Sequence, residues 1–403
     1  NTGWFVNIYY MKKKIIILGS TGSIGSTTIK IISRDKKSFN VILLTANKNY
    51  KKLFLQAKKI SCNNLLIHNK EKYFLALDKN KNKKIKIFNK FEDFLKILKK
   101  KVDYTICSIT GVAGLKPTLD AIKISHNIAI ANKESIICGW NLIERNIKKF
   151  KTTFIPIDSE HFSIWSLIKD YKPSQIQKIF ITASGGPFLT LPKTKFKNIL
   201  PKNAIKHPNW SMGKKISVDS ATLMNKVFEV IEAQRIFKLP LSKFKILVHP
   251  KSYVHAIVKF TNGISKILIH DTNMEIPIFN SLYYNNSNKK LKTSEIDFDK
   301  MNNLNFSNVD HSKFPSINLL KKIPNNISLF ETVLISANDL LVELFLAKKI
   351  KYIEINKYLN IVINLKEFSK LKLIQPNNVN QIIKLSKYVA LKTKSLSVLS
   401  NQL

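Results

Sequence analysis

Between Lys12 and Ile157, seven short apolar runs alternate with segments of helical spacing. The runs are Ile15–Leu18, Val41–Thr45, Leu65–His68, Ile85–Phe88, Thr105–Ile109, Ile128–Ala131 and Phe154–Ile157. Tyr50–Lys58 and Phe91–Lys100 are two of the helical intervals. Regular alternation of strand and helix predicts an α/β fold with a doubly wound parallel sheet. Ligands then bind beyond the carboxyl ends of the strands. The first run leads into Gly19-Ser20-Thr21-Gly22-Ser23-Ile24-Gly25, and the helical run Thr27–Ile32 follows. The chain has only 11 glycines, and three stand in this turn. Glycine lets backbone approach a pyrophosphate, and the helix N-terminus offers free N–H groups and a favourable dipole. The spacing is G-x-x-G-x-x-G rather than G-x-G-x-x-G, and a plain strand-to-helix turn is the other reading of it.

In a dinucleotide fold the second strand commonly ends in an acid that binds the ribose 2′-hydroxyl. Here Val41–Thr45 is followed by Ala46-Asn47-Lys48-Asn49, with no carboxylate. A cation between two amides suits a 2′-phosphate, which predicts NADP(H) rather than NAD.

The middle of the chain reads as α+β. Ile176–Thr182, Lys245–His249, Val254–Phe260 and Ile264–His270 read as strands, and Ser220–Phe237 as a helix. Asn262-Gly263 is a hairpin signal between the last two strands. Residues 285–315, rich in Asn, Lys and Ser, read as a linker. Ile327–Ile350, Tyr352–Leu365 and Val379–Lys392 read as helices. The expected division is a dinucleotide domain over 11–157, a catalytic domain over 158–284, the linker, and a helical domain over 316–403. Residues 1–10 are read as an extension ahead of a start at Met11.

The formal net charge is +41, yet only Arg34, Arg145 and Arg235 among the 67 basic residues are arginine. Nucleic-acid readers favour the planar arginine fork. Lysine spread among abundant Asn and Ile reads instead as compositional drift, and it attracts anionic ligands. Neither a nucleic-acid nor a membrane partner is expected, since no apolar run is long enough to span a bilayer. Cys62, Cys107 and Cys138 show no metal-ligand spacing, and so sparse a set predicts a reducing compartment, the cytoplasm.

Two acidic clusters carry the chemistry. Asp158 and Glu160 follow the seventh run, and on an extended chain they point the same way. Two carboxylates aimed at a cleft call for a cation, and oxygen ligands suit Mg²⁺ or Mn²⁺. An Asp-Ser-Glu also reads as a helix cap. In Ser217–Glu229, the residues Asn225, Lys226 and Glu229 fall on neighbouring helical faces, with Ser220 at the helix start. Ser220, Asn225 and Lys226 suit a phosphate, and Glu229 suits a third metal carboxylate; the bland alternative is a solvated Lys–Glu pair. Ser184-Gly185-Gly186 after a strand offers an anion-binding turn. His207-Pro208-Asn209-Trp210-Ser211-Met212-Gly213 reads either as a lid or as a packed turn.

Taken together these segments resemble the 1-deoxy-D-xylulose 5-phosphate reductoisomerases. The resemblance rests on Leu18–Gly25, Ala131–Ser135, Pro156–His161, Ser184–Phe188, His207–Gly213, Ile216–Thr222 and Met224–Lys226. It implies a Rossmann-like NADPH-binding domain, an α+β catalytic domain and a C-terminal helical domain, in a homodimer. It implies a metal site of Asp158, Glu160 and Glu229 that takes Mg²⁺ or Mn²⁺, with Co²⁺ as a further option. Cofactor contacts follow at Gly19, Thr21, Gly22, Ser23, Ile24, Gly25, Asn47, Lys48, Asn49, Asn132, Glu134, Met212 and Gly213. Substrate contacts follow at Ser159, Ser184, His207, Trp210, Ser220, Asn225, Lys226 and His255, with Met274 close by. Lys133, Glu160, His161 and Glu229 take catalytic roles. The implied reaction converts the sugar phosphate to 2-C-methyl-D-erythritol 4-phosphate by a retro-aldol/aldol rearrangement and hydride transfer.

The chain departs from the family pattern at Val227-Phe228, where Gly-Leu is usual, at Asn47, often glycine, and at Thr272-Asn273-Met274-Glu275, where Pro-Asp-Met-Arg is usual. Two other readings stand beside this one. A semialdehyde dehydrogenase needs a nucleophilic cysteine, and a nucleic-acid-binding protein needs arginine and aromatic platforms.

Overall fold

The computed structural model describes residues 12–81, 84–210, 212–284 and 288–398. The expected extension and start at Met11 lie outside the described residues. The chain divides into two compact units. The first holds the described residues through Ile109, with Asp120–Ala131 and Ile147–Ile155; the second holds Thr110–Leu119, Asn132–Asn146 and the chain from Pro156 onward.

The first unit is built on a seven-stranded sheet of order β4-β3-β2-β1-β5-β6-β7. The strands are β1 (Lys13–Leu18), β2 (Phe39–Ala46), β3 (Asn64–Ile67), β4 (Lys86–Phe88), β5 (Val102–Cys107), β6 (Ser125–Ile130) and β7 (Thr153–Pro156). Each lies within a few residues of its expected position. β1 pairs in parallel with both β2 and β5. Ile15, Ile16 and Ile17 are fully buried, because helices cover both faces of a central parallel strand and leave no polar side to alternate with. The chain winds outward from β1 to β4 and then returns to β5 on the other side of β1. That reversal creates a switch point at the carboxyl ends of β1 and β5. The residues that follow them are Gly19 and Ser108, and the Ser108 amide donates to the Leu18 carbonyl at 2.9 Å.

The second unit contains a five-stranded mixed sheet of order β11-β10-β8-β9-β12. Its strands are β8 (Ile176–Ala183), β9 (Phe244–Val248), β10 (Val254–Phe260), β11 (Ser265–Ile269) and β12 (Ser307–Asn308). β8 and β9 are parallel, while β10 runs antiparallel to β8 and to β11. The hairpin at Asn262-Gly263 is present, with Gly263 at φ +88°. The Ser159–Ile168 helix packs on β10 and β11, and the Met224–Phe237 helix packs on β8 and on Ser159–Ile168. The C-terminal helices Phe330–Leu346, Tyr352–Ile363 and Val379–Val398 pack on one another. Buried bonds tie them to the site-bearing helices. The Tyr352 hydroxyl donates to the Ala221 carbonyl at 2.7 Å, and Asn338 Nδ2 donates to Asp219 Oδ1 at 2.8 Å. The Arg235 guanidinium pairs with Glu331 where both side chains are almost fully buried.

Two expectations change. The run Ser220–Phe237 is not one helix. The structure has Lys214–Ala221 and Met224–Phe237, broken at Thr222-Leu223 with Leu223 at φ 58°. The Thr222 hydroxyl holds the break: it bonds the Val218 and Asp219 carbonyls at 3.2 and 3.1 Å and accepts the Met224 amide at 3.3 Å. No glycine or proline marks this break, so helical spacing runs through it. Within 285–315 the structure places a helix at Phe298–Asn302 and the strand β12 on the edge of β9. Elements this short leave no periodicity to read.

Candidate functional site

In the first unit the glycine turn joins β1 to the Ser23–Arg34 helix. Gly19 has φ +79°, and a Cβ there would stand 2.7 Å from the Ser108 carbonyl oxygen. At Gly25 a Cβ would stand 2.4 Å from Ser20 Cα. Both positions are held by crowding inside the unit. Gly22 differs: its nearest neighbour would be the Gly19 carbonyl oxygen at 3.4 Å, an ordinary contact. The helix after Gly22 opens with no side-chain cap from its N-cap residue and no acid in its first turn, so its own sequence leaves the positive end uncompensated.

The turn is clamped by residues that the sequence reading did not single out. Gly19 N donates to Thr45 Oγ1 at 2.8 Å, and Ser20 N to the Thr45 carbonyl at 2.9 Å. Gln56 makes a two-way bond with Ser20, accepting its hydroxyl at 2.8 Å and donating to its carbonyl at 2.9 Å. A buried glutamine on an otherwise apolar helix face was the available signal. Lys52 Nζ donates to the Thr21 carbonyl at 2.9 Å. Asn47, Lys48 and Asn49 are exposed beyond β2, and Asn49 Oδ1 caps the Tyr50–Ile60 helix by accepting Lys52 N at 3.1 Å. Glu71 lies within electrostatic reach of Lys48.

The other predicted cofactor residues lie in the second unit. Asn132 Nδ2 donates to the Gly111 carbonyl at 2.8 Å, and its Oδ1 accepts the Ser135 amide. Glu134 is buried and pairs with Lys215 at 2.8 Å. Lys215 also reaches Asp339 at 2.8 Å and Asp219 at 3.5 Å. Gly213 is the N-cap of the Lys214–Ala221 helix, and Met212 precedes it half-buried.

The carboxylate cluster forms at the start of the Ser159–Ile168 helix. Asp158 is its N-cap residue but makes no side-chain capping bond, so the helix-cap reading leaves its carboxylate unexplained. Glu160 lies in the first helical turn rather than on an extended strand. The two carboxylates therefore converge through the strand-to-helix bend and not through strand alternation. Glu229 approaches from the Met224–Phe237 helix, and oxygens of Asp158, Glu160 and Glu229 lie within 4.8 Å of one another. Glu229 is 1% exposed and Lys226 7%, which removes the reading of a solvated pair. Burial and the Glu160 charge push the Glu229 carboxyl well above the ordinary range, against the pull of Lys226 and Lys133. Burial also acts against the charge of Asp158, but Lys133 and His161 outweigh it and hold that carboxyl far below the ordinary range.

Ammonium groups occupy the cluster. Lys226 Nζ bonds Glu160 and also Glu229 Oε2, the latter at 2.5 Å, while Asn225 Nδ2 donates to Glu229 Oε1 at 2.5 Å. Lys133 Nζ donates to Asp158 Oδ2 at 3.1 Å and to Glu232 Oε2 at 2.8 Å. Ser159 Oγ donates to Glu160 Oε2 at 2.5 Å. His161 Nε2 lies 2.9 Å from the Glu229 carbonyl oxygen, so that nitrogen carries the proton. Three carboxylates crowded in a largely buried space, with ammonium groups of Lys133 and Lys226 among them, fit a hard divalent cation.

Beside this cluster lies a cradle for an anion. Ser184 follows β8, and the turn continues through Gly185 and Gly186 at φ +84° and +66°. A Cβ at Gly186 would stand 2.7 Å from the Ser220 carbonyl oxygen, so the turn is pressed against the end of the Lys214–Ala221 helix. The turn that begins at Ser184 thereby meets the helix end that carries Ser220, and Asn225 and Lys226 open the next helix. His207 joins them: its Nε2 lies 3.0 Å from Ser184 Oγ. Its Nδ1 accepts the amides of Asn209 at 3.1 Å and Trp210 at 3.0 Å, so the neutral ring carries its proton on Nε2. Burial, and then Lys226, lower its pKa to about 4. Trp210 meets His255 edge-to-face at 6.1 Å. His255 stacks on His270 at 3.6 Å, a neighbour absent from the sequence reading. Within the loop, Ser211 lies outside the described residues.

The cysteine rival loses its footing. All three cysteines are free and buried; burial pushes the Cys62 thiol up to about 12 and that of Cys138 higher still. Neither is a nucleophile.

Comparison with known proteins gives one consistent result. The family described as 1-deoxy-D-xylulose 5-phosphate reductoisomerase matches residues 15–139, its C-terminal domain matches 154–237, and a further C-terminal domain of the same enzyme matches 270–390. The reductoisomerase of Pelagibacter ubique is 55% identical over 388 residues, covering 96% of this chain and all of that protein. That of Sulfurihydrogenibium is 37% identical over 370 residues, covering 92% and 95%. Among solved structures, the Zymomonas mobilis enzyme in complex with NADPH is 31% identical with a TM-score of 0.84, covering 96% of this chain and 99% of that one. A DOX-P reductoisomerase in complex with NADPH, fosmidomycin and magnesium is 29% identical with a TM-score of 0.89, covering 97% and 99%. A carboxylate triad beside a serine- and glycine-lined cradle, on a chain matched along its length, places this protein in the 1-deoxy-D-xylulose 5-phosphate reductoisomerase family.

Proposed function

We propose that this chain converts 1-deoxy-D-xylulose 5-phosphate to 2-C-methyl-D-erythritol 4-phosphate, using NADPH and a divalent metal, as a step of non-mevalonate isoprenoid synthesis. The observation that carries the reading is the buried convergence of Asp158, Glu160 and Glu229 next to Ser184, Ser220 and Lys226. The relatives bear the activity in their names, and solved relatives hold NADPH, fosmidomycin and magnesium.

When bound, the cation supplies Lewis acidity at the substrate's carbonyl and hydroxyl oxygens, and NADPH supplies the hydride. Asp158, Glu160 and Glu229 hold the cation. Ser184, Ser220, Asn225 and Lys226 bind the substrate phosphate, and His207 donates its Nε2 proton beside them. Ser159 and Lys133 flank the reacting carbons, and His161 orients the segment that carries Glu229. Trp210, backed by His255, closes over the substrate and excludes water. Phosphate binding away from the reacting carbons stabilises the closed loop.

On the cofactor, Gly22 leaves room for the pyrophosphate at an uncapped helix start, between Thr21 and Ser23-Ile24. Lys48, Asn47 and Asn49 meet the 2′-phosphate. Asn132, Glu134, Met212 and Gly213 serve the nicotinamide half. The metal is Mg²⁺, as in a solved relative, or Mn²⁺, with Co²⁺ as a further option. A homodimer follows from the family resemblance, and three free cysteines fit the reducing cytoplasm. The chain from Pro156 is read as a catalytic part to residue 284 and a helical part from 316.

Substrate-dependent NADPH oxidation tests the reading directly. Chelation should abolish it and Mg²⁺ restore it. Glu229→Gln should lose most activity with the fold intact. Full turnover in excess chelator would overturn the metal assignment.

A further inference from the structure

Glu232 lies one turn beyond Glu229 on the Met224–Phe237 helix, is 2% exposed, and is neither one of the proposed metal ligands nor a substrate contact. A carboxylate so deeply buried needs a partner. Its partner is Lys133, whose Nζ it accepts at 2.8 Å while the same ammonium donates to Asp158 Oδ2 at 3.1 Å. Asp158, His161 and Glu232 also stand within 4.8 Å of one another, a grouping that a second cation would use. The ammonium of Lys133 already bonds two of these three, and the His161 ring spends Nε2 on the Glu229 carbonyl.

We propose that Glu232 is a positioning residue for the metal site: by sharing the Lys133 ammonium with Asp158, it keeps that charge from resting on the Asp158 carboxylate alone. The inference rests on the reading of Asp158, Glu160 and Glu229 as the metal ligands. Its logic is electrostatic. Lys133 lies between two carboxylates, each of which carries part of its charge. With Glu232 neutral, the whole ammonium charge falls on Asp158 and competes with the cation for that ligand. Lys133 then becomes an obstacle to metal binding in place of a support for its ligand.

The test is Mn²⁺ binding to the full chain, followed by electron paramagnetic resonance of the free ion, with NADPH affinity and melting temperature as controls. Wild type should bind one Mn²⁺, and Glu229→Gln should lose it. Glu232→Gln should weaken Mn²⁺ binding at least tenfold, with NADPH affinity unchanged. Its activity should need correspondingly more Mg²⁺, with most of kcat returning at saturation. In a Lys133→Met background the Glu232→Gln substitution should have no further effect on Mn²⁺. This double variant also removes the buried charge pair together, so it remains informative if Glu232→Gln alone fails to fold. Binding by Glu232→Gln within twofold of wild type would overturn the role of Glu232 alone. An equal loss with and without Lys133 would overturn it as well. So would two Mn²⁺ sites in wild type and one in Glu232→Gln, because Glu232 would then be a ligand. If wild type bound no Mn²⁺, or Glu229→Gln bound it normally, the three-carboxylate reading would fall, and this inference with it.

Discussion

Gly22→Ala and Gly25→Ala should separate two demands made on the same turn. A Cβ at Gly25 would stand 2.4 Å from Ser20 Cα and 2.6 Å from its carbonyl carbon and oxygen. Carbon atoms pack comfortably at about 3.5–4.0 Å, so the helix start must move by about 1 Å. The turn cannot yield easily, because Ser20 is bonded to Thr45 and to Gln56. Overpacking of this kind costs about 1–3 kcal/mol, and a domain of this size loses roughly 2–4 °C of melting temperature per kcal/mol. Gly25→Ala should therefore melt several degrees below wild type in the absence of any ligand. Gly22→Ala meets only one atom at 3.4 Å and needs no positive φ, since Gly22 has φ −73°. Alanine is disfavoured at an N-cap by about 1 kcal/mol, and the stiffer unfolded chain returns about 0.4–1 kcal/mol, so stability should hardly change. The added methyl group would instead keep a pyrophosphate away from the helix amides. Losing one hydrogen bond to a charged group costs about 1.5–3 kcal/mol, or roughly ten- to hundredfold in Kd. Thermal denaturation without cofactor and NADPH fluorescence titration measure the two effects separately. Wild-type NADPH affinity in Gly22→Ala, or a wild-type melting temperature in Gly25→Ala, would refute the reasoning.

Three further outcomes are expected. Wild type should prefer NADPH to NADH by kcat/KM, and Lys48→Asp should weaken NADPH by about 1.5–3 kcal/mol while leaving NADH nearly untouched; equal weakening of both would remove Lys48 from the 2′-phosphate. Inorganic phosphate should bind more tightly when Mg²⁺ is present, because the cation releases Lys226 from Glu160 and Glu229, and Lys226→Met should erase that enhancement in equilibrium dialysis. His207, lowered to about 4 from 6.5, should stay neutral with its proton on Nε2 throughout mild acid in imidazole NMR. Between those values the unfolded chain holds a proton that the folded chain lacks, so His207 adds stability above about pH 6.5 and loses it as pH falls toward 4; His207→Gln should flatten that part of the stability curve.

What the sequence made legible follows from where the physics is local. The strands of the first sheet hold short apolar runs bounded by polar turns, and in a central strand such as β1 the run Ile15–Leu18 is continuous because both faces are covered. The Asn262-Gly263 hairpin is equally local, since it needs one residue at positive φ. The site motifs were legible as residue types, and the resemblance supplied their roles. Contacts between distant segments were hidden. Gln56 closes on Ser20 across 36 residues, and Glu232 meets Lys133 across 99. Nothing near Glu232 in the chain distinguishes it from a surface glutamate, because its burial is set by a lysine on another helix. The break at Thr222-Leu223 was hidden for a related reason. A threonine hydroxyl does the work usually marked by glycine, and hydroxyl bonding leaves no trace in hydrophobic spacing.

The buried charges explain why these particular lysines stand apart from the many others in the chain. Asp158, Glu160, Glu229 and Glu232 face two ammonium groups, Lys133 and Lys226. Four carboxylates against two ammonium groups leave two negative charges, the charge of one divalent cation. Without that cation the strain collects on Glu229, whose carboxyl is pushed up by burial and by Glu160. A fully neutralised cluster would be more comfortable alone but would have no affinity for a metal, whereas a cluster without lysines would not tolerate burial. The two lysines differ in what they can do next. Lys133 is held between Asp158 and Glu232, and only Asp158 belongs to the metal set, so it can remain in place when the cation enters. Both partners of Lys226 belong to that set, so the cation must displace it. His207, which bonds Ser184 of the glycine turn, lies within its electrostatic reach, and a released ammonium needs an anion there. Metal and phosphate affinity are thus linked through one side chain, and a site built this way becomes fully compensated only when both ligands are present.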